Sequence, residues 1–477
     1  MLTETEPLKW GHNPYLPSWE YIPDAEPHYF EGKVYVYGSH DRFNGHAYCL
    51  NDYVCWSALE NDLTQWSYEG VIYEKTDDPL NPDGRMCLYA PDVTQGPDGR
   101  YYLYYVLDKV PVVSVAVCDT PAGRYRFHGH VHYADGTLLG RAENDEPQFD
   151  PGVLTEGSRT YLYTGFCPGD DPSRSGPMVT VLGPDMLSVM EPPRFIAPSK
   201  PYSQGSGYEG HEFFEAPSIR KYGNWYYFVY SSVVYHELCY AMSTSPTEGF
   251  EYKGVLVSNC DLHIDSYKPA QKPMYYGGNN HGGLLELENQ YYIFYHRHTN
   301  GTNFSRQTCA EPITMLETGE FLQAEMTSSG LNSAPFPGTG KYPAHIACNL
   351  FCGIESIYTG PNAYMDNRFP KITQDQGDGE QGPGYIANMM DGATAGFKYF
   401  HFLGLKKIRL QVRGYCRGNF EVRTFWNGPV QGIISIDDFS NVWTEYVGDV
   451  AIPNGVHGLY FRFVGQGNAS LLSFTLE

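Results

Sequence analysis

The chain has 477 residues, 15% of them aromatic with 41 tyrosines, and a formal net charge of −23 at pH 7. That length implies a large core and two domains. The negative charge argues against nucleic acid or an anionic membrane as partner and says little about a neutral ligand. The first ten residues show neither a basic start nor an apolar run, so no secretory leader is expected. No stretch approaches the ~20 apolar residues that span a bilayer. The 11 cysteines are scattered without zinc-like spacing and read as free thiols of a reducing cytosol. A cytoplasmic location is therefore expected, or a secreted one if a leader has been trimmed. Oligomeric state is left open.

In chain order, an aromatic strand that follows a turn recurs five times. The copies centre on Lys33-Val34-Tyr35-Val36-Tyr37, Arg100-Tyr101-Tyr102-Leu103-Tyr104, Arg159-Thr160-Tyr161-Leu162-Tyr163, Trp225-Tyr226-Tyr227-Phe228-Val229 and Gln290-Tyr291-Tyr292-Ile293-Phe294. Their reference tyrosines, Tyr35, Tyr102, Tyr161, Tyr227 and Tyr292, stand 67, 59, 66 and 65 residues apart. A strand-rich unit of this length repeated five times predicts a five-bladed β-propeller over residues 10–330, with four strands in each blade. Two long connections, 200–210 and 259–278, are expected at the rim of the cleft. The Pro/Gly-rich stretch 331–344 reads as a linker. Short alternating segments across 345–477 predict a β-sandwich, an all-β partner to the all-β propeller. Within it the Gly-rich run 376–385 reads as a flexible loop.

Ahead of each reference tyrosine, by 11, 13, 11, 12 and 11 residues, stand Asp24, Tyr89, Asp150, Glu215 and His281. Equivalent slots on the innermost strands of a propeller face one axial cavity. Any one of these carboxylates could be an ordinary strand-end group that reaches solvent. Three of them, with an imidazole and a phenol at one mouth, must share protons or shift pKa, which is what acid–base chemistry needs.

With these residues in place, the chain resembles the family-43 glycoside hydrolases across 10–330, and its second domain is similar to a family-6 carbohydrate-binding module. The resemblance implies that Asp24, in an early Pro-Asp, is the general base. It makes Glu215, ahead of Ala216-Pro217, the general acid, and Asp150, in Asp-Pro, the residue that orients that acid and tunes its pKa. The run Tyr89-Ala90-Pro91-Asp92 is similar to a family Trp-Ala-Pro-Asp motif, with Tyr89 in place of Trp. His281, in Asn280-His281-Gly282-Gly283, corresponds to a histidine at the base of the site that in some members lies beside a central calcium ion. Arg297, in Tyr295-His296-Arg297, resembles an arginine that contacts substrate. No cofactor is required by this reading, and a structural calcium held indirectly through His281 is an option. Trp426 and Trp443 are the candidates for stacking on sugar in the second domain, with a core position as the alternative for each.

The family implies inversion, with the Asp24 and Glu215 carboxyls roughly 6.5–9.5 Å apart to admit a water. In this reading the like charge of Asp150 raises the Glu215 pKa. The expected function is exo-release of terminal α-L-arabinofuranose or β-D-xylose from plant-derived oligosaccharides. β-Galactofuranoside hydrolysis, endo-action on arabinan and a non-catalytic sugar-binding propeller are the alternatives.

Overall fold

The computed structural model describes residues 11–352 and 369–477. Residues 1–10, on which the expected lack of a leader rests, and 353–368, inside the predicted second domain, lie outside the described residues.

Each aromatic, β-branched segment that follows a turn is a strand, because such side chains pack well on a pleated surface. Blade one comprises Glu26–Phe30, Lys33–Tyr37, Tyr53–Leu59 and Asp62–Tyr73. Blade two comprises Leu88–Gln95, Tyr101–Leu107, Val113–Cys118 and Arg126–His130. Blade three comprises Gly152–Glu156, Arg159–Thr164, Met178–Leu182 and Val189–Phe195, and blade four Phe213–Tyr222, Trp225–Ser232, Glu237–Ser243 and Glu251–Ser258. Each is a four-stranded antiparallel sheet in chain order.

Blade five differs from the expected pattern. Among the described residues it has three strands, Leu284–Leu287, Gln290–His298 and Arg306–Ile313. At its outer edge the Asn13 side chain takes a strand's part: its Nδ2 donates to Ala310 O at 3.1 Å and its Oδ1 accepts from Ala310 N at 2.9 Å. The N-terminal segment then runs between blades five and one, with Tyr15, Leu16 and Ile22 buried against Phe294 and Leu285. An isolated bridge between Ala25 and Gly282 closes the ring.

The axis is crowded. A Cβ at Gly283 would lie 2.3 Å from Glu26 Oε2 and 3.1 Å from Arg220 Nη2, so only glycine fits there. Asp92, of the Tyr-Ala-Pro-Asp run, is buried and ties three blades together. Its Oδ1 lies 2.6 Å from His28 Nε2 and its Oδ2 accepts from Val153 N at 2.7 Å.

The second unit is a β half-barrel of nine described strands joined in one curved sheet. Its long strands, Lys407–Arg423, Gly432–Asp449 and Gly455–Leu476, supply the curvature. Gly414, at φ 141° and beside a register shift, lets the first of them bend. The stretch read as a linker is not free chain. Phe336–Pro337 and Gly340–Pro343 are strands of this sheet, and Ala344–Ile346 is a buried helical turn. One hydrophobic core runs without a gap from Tyr227, Tyr240 and Ile293 of the propeller to Phe397, Phe461 and Phe474 of the half-barrel.

The connection 259–278 is spent on this interface rather than on the cleft. Asp261, on that connection, and Glu325 hold buried Lys398 at 3.0 and 2.8 Å, and the Lys398 ammonium lies 3.6 Å from the centre of the Tyr267 ring. Trp443 packs under Arg413 at 4.2 Å, and Lys272 lies over Trp426 at 4.7 Å. Neither tryptophan is an open platform.

Candidate active site

Asp24, Tyr89, Asp150, Glu215 and His281 line one cavity of about 360 Å³, the five slots brought together by the propeller. Tyr89 and Glu215 lie on innermost strands, while the other three stand just before them. The approach to each strand is irregular, and that irregularity aims the carboxylates. Asp24, Asp150 and Ala216 all have positive φ, at 57°, 46° and 64°. The ladder also slips between Glu215 and Ser218. Non-glycine residues hold such conformations at a cost of about 1–3 kcal/mol each, and they persist where surrounding contacts impose them. Here those contacts are visible: Asp150 Oδ2 accepts from Ala216 N at 3.3 Å, and Asp24 N donates to His296 Nδ1 at 3.3 Å.

His296 is buried and is held neutral, well below its ordinary pKa, by burial and by Arg306. Its Nε2–H faces Asn279 O at 2.7 Å, which leaves Nδ1 as the acceptor for Asp24. His281 sits between the carboxylates, its Nδ1 4.0 Å from Asp24 Oδ1 and 3.9 Å from Asp150 Oδ2, and burial lowers its pKa.

Arg297 is elsewhere. Successive side chains of a strand leave opposite faces, so where His296 turns to the axis Arg297 turns away from it. Its guanidinium is buried and donates to Ala347 O at 2.8 Å and His345 O at 2.7 Å. Arg297 fastens the half-barrel to the propeller. The arginine in the cavity is Arg306, at the start of the next strand. Asp41 holds its Nε and Nη2 at 2.9 and 3.0 Å, and Nη1 donates to Asp24 Oδ1 at 3.1 Å. The sequence carries a weak sign of this, since Arg306 opens the strand paired with the one that carries Arg297.

An aromatic wall surrounds the carboxylates. Tyr89, Phe149, Phe166, Phe214 and Tyr235 touch in succession, with ring centroids 5.8, 5.0, 5.4 and 4.8 Å apart. Tyr48, under Arg306 at 4.7 Å, closes the side formed by blade one. The half-barrel reaches this wall through the loop that reads as flexible. Asp378 accepts from Phe43 N at 2.7 Å and from Asn51 Nδ2 at 3.0 Å, bracketing the segment that presents Tyr48 and Cys49.

The electrostatics separate the carboxyls. Burial, then the charge of Asp24, pushes Glu215 up to about 8, with Arg306 opposing. Asp150 is itself raised well above its usual range by burial, then by Glu215 and Asp24. The apolar wall and Asp24 thus join the expected cause: Asp150 and Glu215 face each other as buried carboxyls, and each favours the proton on the other. A hard cation beside His281 fits poorly. The nearest carboxylate oxygen, Glu26 Oε1, lies 3.7 Å from His281 Nε2 while the other Glu26 oxygen bonds Arg220 Nη2 at 2.6 Å, and the remaining donors there include His28 rather than the oxygen-rich set calcium takes.

The sequence pattern of Glycosyl hydrolases family 43 matches residues 13–321, the whole propeller. The chain belongs to this family. As a family-43 member it is a glycoside hydrolase. A curated relative from Thermoclostridium stercorarium, named a xylosidase/arabinosidase, is 71% identical over 469 residues, 98% of this chain and 99% of the relative. Among solved structures, a family-43 arabinoxylan arabinofuranohydrolase from Bacillus subtilis, in complex with cellotetraose, is similar with a TM-score of 0.52 at 19% identity. It covers 98% of this chain and 97% of its own, so the likeness in fold extends over both units. A family-43 enzyme from Xanthomonas citri, complexed with xylose, has a TM-score of 0.52 at 24% identity, covering 66% of this chain and 93% of its own.

Proposed function

We propose that this hydrolase releases terminal pentose residues, α-L-arabinofuranose or β-D-xylose, from oligosaccharides with inversion of configuration. The observation that carries the reading is the pairing of a protonated Glu215 with an Asp24 bonded to Arg306 in one aromatic-walled cavity. The xylosidase/arabinosidase name of the 71%-identical relative supports the choice of sugar. Glu215 donates its proton to the departing glycosidic oxygen. Asp24 takes a proton from the water that attacks the anomeric carbon from the opposite face. Arg306 and neutral His296 hold Asp24 in place, and Asp150 holds the Ala216 peptide next to the acid. The aromatic wall keeps bulk water from Glu215 and offers apolar faces to the sugar ring. A cavity ringed by all five blades favours chain-end substrates over internal linkages.

The test is a panel of aryl arabinofuranosides, xylopyranosides and other glycosides, with the configuration of the first-formed product followed by NMR. Release of arabinose or xylose with inverted configuration is expected. Retention would overturn the mechanism, and turnover confined to other sugars would overturn the substrate assignment.

A further inference from the structure

Behind the aromatic wall, blade four gathers three histidines and a cysteine around one buried carboxylate. Glu237 opens the third strand of the blade and is fully buried. Its Oε1 lies 2.6 Å from His211 Nδ1 and 3.3 Å from Cys239 Sγ, and also accepts from Ser232 Oγ at 2.6 Å. Cys239 Sγ is 3.9 Å from His211 Nδ1. The other oxygen, Oε2, has no hydrogen-bond partner and faces His263 Nε2 at 3.5 Å. His236 lies behind His263, ring centroids 5.9 Å apart, with its Nδ1 3.0 Å from Ser258 Oγ. The His211 and His263 side chains are 30% and 35% exposed, so the cluster opens to solvent on one side.

These donors come from three separate stretches: the loop before the inner strand, the turn and start of the third strand, and the loop after the fourth. Packing alone does not need them, and a carboxylate buried with one oxygen unbonded is costly. A tetrahedral ion with metal–nitrogen and metal–oxygen distances of about 2.0–2.2 Å and metal–sulfur of about 2.3 Å has ligand-to-ligand edges of about 3.4–3.6 Å. The Glu237 Oε1–Cys239 and His211–Cys239 separations of 3.3 and 3.9 Å bracket that range, while His263 faces the other carboxylate oxygen, Oε2, at 3.5 Å. The His211–Glu237 contact, at 2.6 Å, is well below that range because a proton is shared there, and it opens by less than about 1 Å when an ion replaces the proton.

We infer that His211, Glu237 and Cys239 bind a divalent transition-metal cation of the zinc class, with His263 supplying a fourth donor by rotation of its exposed side chain. A thiolate with imidazoles selects such an ion over calcium or magnesium. Binding releases the Cys239 thiol proton and the proton shared by His211 and Glu237 to solvent, so affinity rises with pH. The site is structural. Tyr235 of the cavity wall directly precedes His236 and Glu237, and Phe214 follows His211 by three residues. An ion here clamps together the two rings, 4.8 Å apart, that flank Glu215.

The test uses the full chain stripped with a chelator. Calorimetry with Zn²⁺ alone is expected to show one ion per chain and a raised melting temperature. Co²⁺ is expected to give a thiolate charge-transfer band in the near ultraviolet. Cys239→Ser should abolish that band, and Cys239→Ser and His211→Gln should each weaken Zn²⁺ binding by at least about tenfold. His211→Gln, at a partly exposed position, keeps the test usable if Cys239→Ser fails to fold. Absence of Zn²⁺ binding, a Co²⁺ complex without the thiolate band, or undiminished binding in His211→Gln would each overturn the proposal.

Discussion

Arg306 Nη1 lies 3.1 Å from Asp24 Oδ1, joining residues 282 positions apart in the chain. Because Asp41 grips the other nitrogens, the guanidinium cannot swing away from the base. Arg306→Lys keeps the charge but loses the fork, and kcat/KM is expected to fall by about 10²-fold. Arg306→Gln also removes the charge that opposes the rise of Glu215. The alkaline limb of its pH–rate profile should therefore move up, and an unmoved or lowered limb would count against this account.

Acid and base separate by leaving group. Glu215→Gln should cost about 10²–10⁴-fold on a natural sugar–sugar linkage and far less on a substrate with an acidic phenol as leaving group, which departs unprotonated. Asp24→Asn should be impaired on both, since both need the activated water. Melting curves establish that each variant is folded. Equal losses for Glu215→Gln on the two substrates would move the acid role to another group. In the wild type the alkaline limb is expected near pH 8, where Glu215 loses its proton.

Asp150→Asn discriminates two ways of holding that proton. If an ionised Asp150 raised Glu215, its removal would shift the alkaline limb down. In the structure Asp150 is itself raised well above its usual range, so it carries a proton while Glu215 titrates, and burial and Asp24 both raise Glu215. Asparagine resembles the protonated acid and keeps an acceptor for Ala216 N. The limb is expected to stay in place, with a loss of turnover of about tenfold. A marked downward shift would show that Asp150 is charged.

Glu311 links pH to stability. It is buried, pushed up to about 8 by burial, and accepts from Asn13 Nδ2 and Thr327 N, both at 2.7 Å. A carboxyl raised on folding contributes stability that is full below its unfolded pKa of 4.5 and lost as pH rises through about 8. The melting temperature is expected to fall between about pH 4.5 and about pH 8 and to level off above it. Glu311→Gln, which cannot ionise, should flatten that fall in thermal scans. An unchanged slope would remove Glu311 from the linkage.

The half-barrel is part of the folded enzyme rather than a detachable module. Ending the chain near Pro335 strips the carbonyls that hold the buried Arg297 guanidinium and exposes the shared core. Such a chain is expected to be insoluble or to melt far below the wild type. A subtler probe is Asp378→Ala, which frees the Phe43–Asn51 segment behind Tyr48. A loss of kcat/KM of up to about 10²-fold without loss of fold is expected. Wild-type kinetics in that variant would confine the half-barrel to a stabilising part.

The sequence by itself determined the five repeats and the five inward slots. Each blade is built from neighbours in the chain, so its turn, aromatic strand and approach residue recur at nearly fixed spacing. Asp24, Asp150 and Glu215 were legible for that reason, and family resemblance added their expected roles. Only the tertiary structure decided which arginine enters the cavity. Arg297 and Arg306 both stand on strands of blade five, and the face each side chain leaves by depends on register, which composition does not encode. The same holds for Asp378 behind Tyr48, for the linker that became two strands, and for the cluster around Glu237. Each depends on contacts between segments far apart in the chain, whose positions are set only once the ring closes and the half-barrel docks.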